Sequence, residues 1–291
     1  MRKRYMKCQI SRLITGILIG ISIAGIATAR PAIVPRDADF ESVRTRLDHP
    51  FVNLEDEPPE KYFHESNFHQ HYDGRFADRS LKYDEKQEYL SALIQTYLST
   101  MNGLGAETWL MHGTLLGWYW NRRIMPWDSD LDVMLSEQSL HFLASFHNMT
   151  IHKFRISDRK STQSYLLEIN PHYLESELDK DNRIDARWID MDIGLFIDIT
   201  TLRRNTSAAD PEAMMVKDKH HYHYDDIHPL RKSYFEGVPV SVPYAYTDIL
   251  VEEYGDIALS GIDHESHRFD PEQQAWVPTH VSIMSWKFDQ G

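Results

Sequence analysis

Cysteine is almost missing from this chain: Cys8 is the single one in 291 residues. A folded region without cysteine carries no disulfide, no thiolate metal centre and no cysteine nucleophile. Basic residues are also short. Lys and Arg number 31 against 44 Asp and Glu, a formal net charge of −13. Nucleic-acid polymers are held mainly through Lys and Arg on the phosphate backbone, so the charge argues against such a partner. A small phosphorylated substrate stays open, because a bound cation reverses the local sign. No internal repeat or low-complexity tract is visible. What remains is a chain with 42% apolar residues, enough to bury the core of one large domain or two small ones.

The one long apolar run stands near the N-terminus. Arg2, Lys3, Arg4 and Lys7 precede "LITGILIGISIAGIATA", Leu13 to Ala29, and Ala27-Thr28-Ala29 has the small-x-small form of a cleavage site. A spanning helix needs about 20 apolar residues, and this run has 17, with Thr15, Ser22 and Thr28 inside it. The balance favours a cleaved signal peptide over a retained membrane anchor through residues 13–29. Both put the remainder in the lumen of the secretory pathway, the Golgi included, or outside the cell. The sequons Asn148-Met149-Thr150 and Asn205-Thr206-Ser207 fit that location.

Three regions follow: a targeting segment at 1–29, an arm at 30–78, and a folded domain at 79–291. The arm is rich in Pro, acids, His and aromatics and shows no sustained period, which predicts irregular structure wrapping the domain. In Leu81–Met101 the apolar residues Tyr89, Leu90, Leu93, Ile94, Tyr97, Leu98 and Met101 form one helical stripe. Ser80 is the expected cap, and Gly103 and Gly105 the stop. Thr108–His112 reads as a buried strand, Gly113-Thr114 as a tight turn, and Leu115–Trp120 as a short helix. Strands are expected at Leu131–Leu135, Ile151–Ile156, Tyr165–Ile169 and 195–202. Ser136 is a good cap for the helix "EQSLHFLASFH". Residues 231–242 read as a hairpin turning at Glu236-Gly237, and "AYTDILVEEYG" as a helix stopped by Gly255. Alternating helices and strands give a mixed α/β or α+β class.

The chemistry concentrates in "IMPWDSDLDVML". Alternate residues of a strand share a face, so Asp128, Asp130 and Asp132 would face one way if the strand extends that far. Same-face neighbours lie roughly 7 Å apart at Cα, close enough for Asp130 and Asp132 to share an ion. On a straight strand the outer pair would be roughly 13 Å apart, so Asp128 joins only if Pro126-Trp127 bends the backbone. Like carboxylates held together repel unless a cation lies between them, and oxygen-only ligands favour Mg²⁺ or Mn²⁺. The bland alternative is a solvated acidic turn. An EF-hand loop is rejected, because counting from Asp128 its glycine and glutamate positions hold Val133 and Ser139.

Asp198, between Ile197 and Ile199, is the best third ligand, since a carboxylate inside an apolar strand is costly without a partner; the alternative is a solvent-facing position on an amphipathic strand. Asp190 and Asp192 share its parity and rank below it. Gly113 and Thr114, at a strand-to-helix turn, form a natural phosphate cradle. Arg122 and Arg123 offer bidentate grips on phosphate, and His112 a further donor. Gly at a turn is usually only structural, a solvated basic turn is an equal alternative for one of the two arginines, and a satisfied core histidine is the commoner case for His112. The cluster "KHHYHYDDIH", residues 219–228, has no regular ligand spacing and reads as an exposed loop.

"MHGTLLGWYWNRRIMPWDSDLDV", "GLFIDIT" and "PLRKSYFEGVPVSVPYAYTDILVEEYGD" together resemble the LicD family, which includes fukutin and fukutin-related protein. The likeness runs from about Leu81 to Asp256. The arm "KYFHE…HYDGRFAD" looks more like the fungal branch, linked to mannosylphosphate addition on cell-wall glycans. The resemblance implies a nucleotidyltransferase-like mixed sheet flanked by helices. It implies transfer of a phospho-group from a nucleotide-diphosphate donor, such as CDP-choline, CDP-ribitol or GDP-mannose, to a glycan hydroxyl. Carried onto this chain, Gly113-Thr114 would hold phosphate, Asp130 and Asp132 the metal, and Asp198 would complete the triad and orient or deprotonate the acceptor. The zinc-binding cysteines of some animal members are absent, which leaves oligomerisation unsupported. Two rival expectations stand beside this one: a D-x-D glycosyltransferase that passes on sugar without phosphate, and a non-catalytic regulator of a mannosylphosphate transferase.

Overall fold

A computed structural model describes residues 32–33, 45–156, 161–174 and 180–279; the targeting segment at 1–29 lies outside the described residues. In chain order the elements are β1 (Ala32–Ile33), β2 (Glu65–Ser66), β3 (His69–Asp73), α1 (Tyr83–Leu104), β4 (Thr108–Leu110), α2 (His112–Asn121), β5 (Asp132–Ser136), α3 (Glu137–Phe146), β6 (Thr150–Ile156), β7 (Ser161–Ile169), β8 (Ala186–Asp190) and β9 (Phe196–Arg204). Then come β10 (Ala213–Met215), β11 (His221–His223), α4 (Tyr224–Ile227), β12 (Arg231–Phe235), β13 (Val238–Val242), α5 (Tyr246–Tyr254), β14 (Asp263–His264), β15 (His267–Asp270) and β16 (Ala275–Pro278).

The fold is mixed α+β. Its main sheet has the order β1-β6-β7-β8-β9-β10-β11, with β5 on the other edge of β9 and β4 beyond it. Every pairing in this sheet is antiparallel except one: β5 runs parallel to β9, with Asp132 opposite Asp198. A parallel pair needs a long crossover, and here α3 and the β6–β7–β8 meander supply it.

The predicted stripe of α1 is the centre of the core. Leu90, Leu93, Ile94, Tyr97, Leu98 and Met101 are buried against the sheet with Trp109, Trp188 and Ile197. Each fully buried Leu or Ile contributes roughly 1.5–3 kcal/mol. Gly105 ends the helix in the left-handed conformation, and its N–H and that of Ala106 return to the last carbonyls. Ser80 does not cap this helix: Lys82 holds the N-cap position, with no side-chain bond. Ser136 does cap α3, accepting from the Ser139 N–H. The 231–242 hairpin forms as read, with Glu236 and Gly237 at positive φ in its two-residue turn.

The arm is more ordered than its composition suggests. Strands β2 and β3 pair, Tyr72 bridges to Leu195, and Tyr72 and Ala77 enter the main core. A buried ion-pair group fastens it: Arg75 donates to Asp73 and to Glu168 on β7, both at 2.7 Å through Nη2, while the Tyr62 hydroxyl donates to Glu168 at 2.8 Å. The strand β8 and the small sheet β14–β15–β16 were not anticipated. "ARWID" is short and continuous rather than alternating, and the last three strands run two to four residues each.

Candidate active site

Met111 N–H donates to the Asp132 carbonyl, and α2 opens at His112 rather than at Leu115. Gly113 and Thr114 therefore lie in the first helical turn, where N–H groups have no intrahelical acceptor. His112 takes φ 52°, a left-handed conformation unusual for a residue with a Cβ. The Thr114 hydroxyl accepts the Asp132 N–H at 2.9 Å and so ties helix start to strand start. A Cβ on Gly113 would come 3.2 Å from Asp128 Oδ2, tighter than an ordinary contact.

The acids do not form a single strand face. Strand β5 begins at Asp132, and Asp128 and Asp130 lie in the loop before it. The loop bends at Pro126-Trp127, where Asp128 N–H bonds the Met125 carbonyl and the Gln87 side chain donates to the Pro126 and Asp128 carbonyls. Glu236, at the hairpin tip, accepts the Ile124 N–H at 2.8 Å and holds the segment from its other side. The bend returns Asp128 towards the other acids. Burial, a hydrogen bond to Asp130 and the charges of Asp130 and Asp132 push Asp128 up to about 8. Burial also carries Asp132 up to about 8; His112 opposes this, and Asp130, Asp198 and Glu253 add to it. The Asp130 side chain is 43% exposed and faces His71 Nε2 at 3.6 Å.

Asp198 stands on β9 opposite Asp132, and burial raises its pKa against the pull of Arg187. Arg187 Nε donates to Asp198 Oδ1 at 2.7 Å and Nη2 to Glu65 at 2.5 Å, with the guanidinium 3.6 Å over the Phe196 ring. A charge inside the apolar run of β8 demands such partners, and that was the available signal for Arg187 in the sequence. Glu65 and His71 had none, since both come from the aperiodic arm.

His112 joins the group from the other side. Burial alone would lower its pKa, but the hydrogen bond and charge of Glu253, with Asp132 and Asp218, raise it to about 9. Arg122 and Arg123 are not brought to the acids. Arg122 ends α2 with its guanidinium 3.9 Å over the Trp118 ring and donates to the Trp118 carbonyl, and Arg123 is exposed. Asp190 is fully buried in the β8–β9 turn and accepts the Asp192 and Ile193 N–H groups, so neither it nor Asp192 reaches the cleft.

Two openings border the acids. One, about 220 Å³, runs from Asp198 and Arg187 along Lys61, Asn182 and Arg183. The other, about 270 Å³, holds Gly113 and Asp128 on one wall and Trp120, Trp127, His264 and Trp276 on another. Trp127 meets His264 at 4.8 Å and Trp276 at 4.9 Å between ring centres. The aspartate set offers oxygen donors only, the chemistry that suits a hard divalent cation, but no three of its carboxylates bring a donor atom within 4.8 Å of one another.

The segment that carries these acids is of the LicD type. Residues 105–245 match the family described as LicD/FKTN/FKRP, nucleotidyltransferase domain, and this segment belongs to that family. Among its relatives in Saccharomyces cerevisiae, Mannosyltransferase regulator 4 is 34% identical over 142 residues, 47% of this chain and 12% of that protein. Mannosyltransferase regulator 14 is 32% identical over 130 residues, 43% of this chain and 14% of that protein. The shared segment thus spans about an eighth of each relative's length. The wall formed by Ile257, His264 and Trp276 lies C-terminal to the matched residues.

Proposed function

We propose that this chain is a metal-dependent phosphotransferase that moves a phospho-sugar or phospho-alcohol group from a nucleotide-diphosphate donor to a glycan hydroxyl. GDP-mannose, giving mannosylphosphate, is the first donor to try, because the relatives are named as mannosyltransferase regulators. The observation that carries the reading is the in-register meeting of Asp132 and Asp198 across the one parallel pair of the main sheet, with Asp128 and Asp130 turned in from the adjoining loop.

Asp130, Asp132 and Asp198 would hold Mg²⁺ or Mn²⁺, with Asp128 beside them. Such an ion, when bound, neutralises charge on the pyrophosphate and on the leaving nucleoside monophosphate. The chain's own residues do the rest. The first-turn N–H groups of α2, at Gly113 and Thr114, face phosphate oxygens with the helix dipole behind them. Arg187 fixes Asp198 through Oδ1, so that Oδ2 is the oxygen left to face a ligand. The Trp127–Trp276–His264 wall offers flat apolar faces for a sugar or base ring. The acceptor oxygen attacks phosphorus in line as the nucleoside monophosphate leaves, a reaction governed by positioning and electrostatics. We assign it to the secretory lumen on the basic-then-apolar segment before residue 30; among the described residues, no helix is long and apolar enough to cross a membrane.

The test is a screen of GDP- and CDP-linked donors with a mannan acceptor and Mn²⁺, read by product mass. Sugar plus phosphate is expected, and D130N and D132N should abolish it. Sugar added without phosphate would replace the proposal with the D-x-D glycosyltransferase. A second reading rests on the relatives' own names: a regulator that keeps the fold and acts on a partner transferase. Donor binding with no turnover, together with stimulation of a mannosyltransferase, would establish that reading instead.

A further inference from the structure

The "KHHYHYDDIH" segment is not simply an exposed loop. Its hairpin turn, between β10 and β11, brings Asp218 and His220 back to His112 at the start of α2. One donor atom from each of the three lies within 4.8 Å of the others, the one such group found among the described residues; the aspartates are spaced more widely. His112 Nε2 is 3.8 Å from Asp218 Oδ2, and His220 Nδ1 is 3.0 Å from Asp218 Oδ1. His112 and Asp218 are mostly buried, while His220 stays half exposed at the rim.

The turn is built rather than loose. Val216 N–H bonds the His220 carbonyl, Lys219 N–H bonds the Val216 carbonyl, and His220 N–H bonds Asp218 Oδ1. Lys217 runs inward to the His172 and Asn182 carbonyls. Lys219 takes φ 82° and His112 φ 52°, so a residue of the turn and the first residue of α2 both lie in the left-handed region. Strain of this kind persists where surrounding structure enforces it and gathers at functional sites.

A second observation is independent of the three donors. The other ring nitrogen of His112, Nδ1, bonds Glu253 on α5 at 2.7 Å. Metal-ligating histidines almost always donate the second ring N–H to a carboxylate or carbonyl, which fixes the tautomer and aims the free nitrogen at the ion. Here Glu253 leaves Nε2 as the nitrogen turned to Asp218. Two imidazoles and one carboxylate suit zinc, whereas the all-oxygen aspartate set suits Mg²⁺ or Mn²⁺. We propose that His112, Asp218 and His220 form a mononuclear zinc site that borders the aspartate cleft but takes none of its ligands from the four aspartates, with Glu253 as its outer carboxylate. Three protein ligands leave a fourth position for water or a substrate oxygen, the pattern of an open zinc site rather than a closed structural one. The backbone link from His112 through Thr114 to Asp132 sets this site against the phosphate end of the cleft.

The inference does not depend on phosphotransfer, and its test reads metal content. The purified protein is loaded with Zn²⁺, passed through gel filtration and assayed by elemental analysis; Co²⁺ is then substituted and its visible d–d absorption recorded. One equivalent of zinc should stay with the wild-type protein and with the D130N/D132N double variant, and be lost from H220A and D218N. E253Q should retain the site with about 10–100-fold weaker affinity. Circular dichroism of each variant checks that the fold is intact. Zinc retention by H220A equal to wild type, or no retained zinc in wild type, would overturn the proposal. A D130N/D132N variant that loses transfer yet keeps zinc supports it, and separates it from the reading of the cleft.

Discussion

Arg75→Met probes the tether between the arm and the sheet. Arg75 is 2% exposed, and Asp73 and Glu168 are both fully buried. Its guanidinium donates four bonds, two to each carboxylate, at 2.7–3.2 Å. Methionine fills most of the stem's volume but supplies no charge and no donor. Two desolvated carboxylates then lose their shared counter-ion, with the Tyr62 hydroxyl still on Glu168. Breaking a buried pair by removing one partner costs about 3–5 kcal/mol. For a domain of this size 1 kcal/mol moves Tm by about 2–4 °C, so the variant should melt roughly 6–20 °C lower by the same conversion. Differential scanning calorimetry with urea denaturation at pH 7 reads this directly. Crossing R75M with E168Q should give a coupling energy of at least about 1 kcal/mol, because the two residues share one network. A loss below about 1 kcal/mol, or additive single effects, would refute the claim that this group fastens the arm.

His152 is buried beside Trp188, and burial, with the charge of His147, lowers its pKa to about 4. A depressed histidine stays neutral in the folded state while the unfolded chain takes up a proton. Stability is therefore whole above about pH 6.5 and falls as the pH drops towards about 4; at pH 4.5 the loss is about 2–3 kcal/mol. H152Q should flatten that acid limb in urea titrations, and an unchanged limb would contradict the assignment. Gly194 takes φ 86°, and a Cβ there would lie 2.6 Å from Ala77 Cβ, so G194A should cost at least about 2 kcal/mol by thermal melt and loosen residues 72–77 in hydrogen exchange. Trp276→Ala removes a wall of the cleft beside Asp128 but none of the aspartates; KM should rise about tenfold, the loss of about 1.4 kcal/mol of ring contact, with kcat little changed. A kcat collapse with KM constant would move Trp276 out of the binding role.

Elements with local causes were legible in the sequence. The α1 stripe, the Ser136 cap, the 195–202 strand and the Glu236-Gly237 turn each follow from side chains within a few positions of one another. Elements with distant causes were not. Asp128 turns towards Asp132 because Gln87, 41 residues earlier, and Glu236, 112 residues beyond Ile124, hold the intervening loop. The neighbours of Asp198 come from Arg187 and from Glu65 in an arm with no period to read. The His112–Asp218–His220 group escaped because its third ligand, His112, stands on a helix more than a hundred residues before the turn that carries Asp218 and His220, and only the fold brings the two segments together.

The lone parallel pair also sets an order of assembly. Asp132 and Asp198 are separated by 66 residues, and the strands that carry them touch only once the β6–β7–β8 meander has folded between them. Pairings so remote form late, after nearer contacts have shortened the loop. A ribosome that has released β5 but not β9 therefore exposes three of the four acids and no cleft. The four acids are thus gathered late, when β9 docks beside β5 and sets Asp198 opposite Asp132.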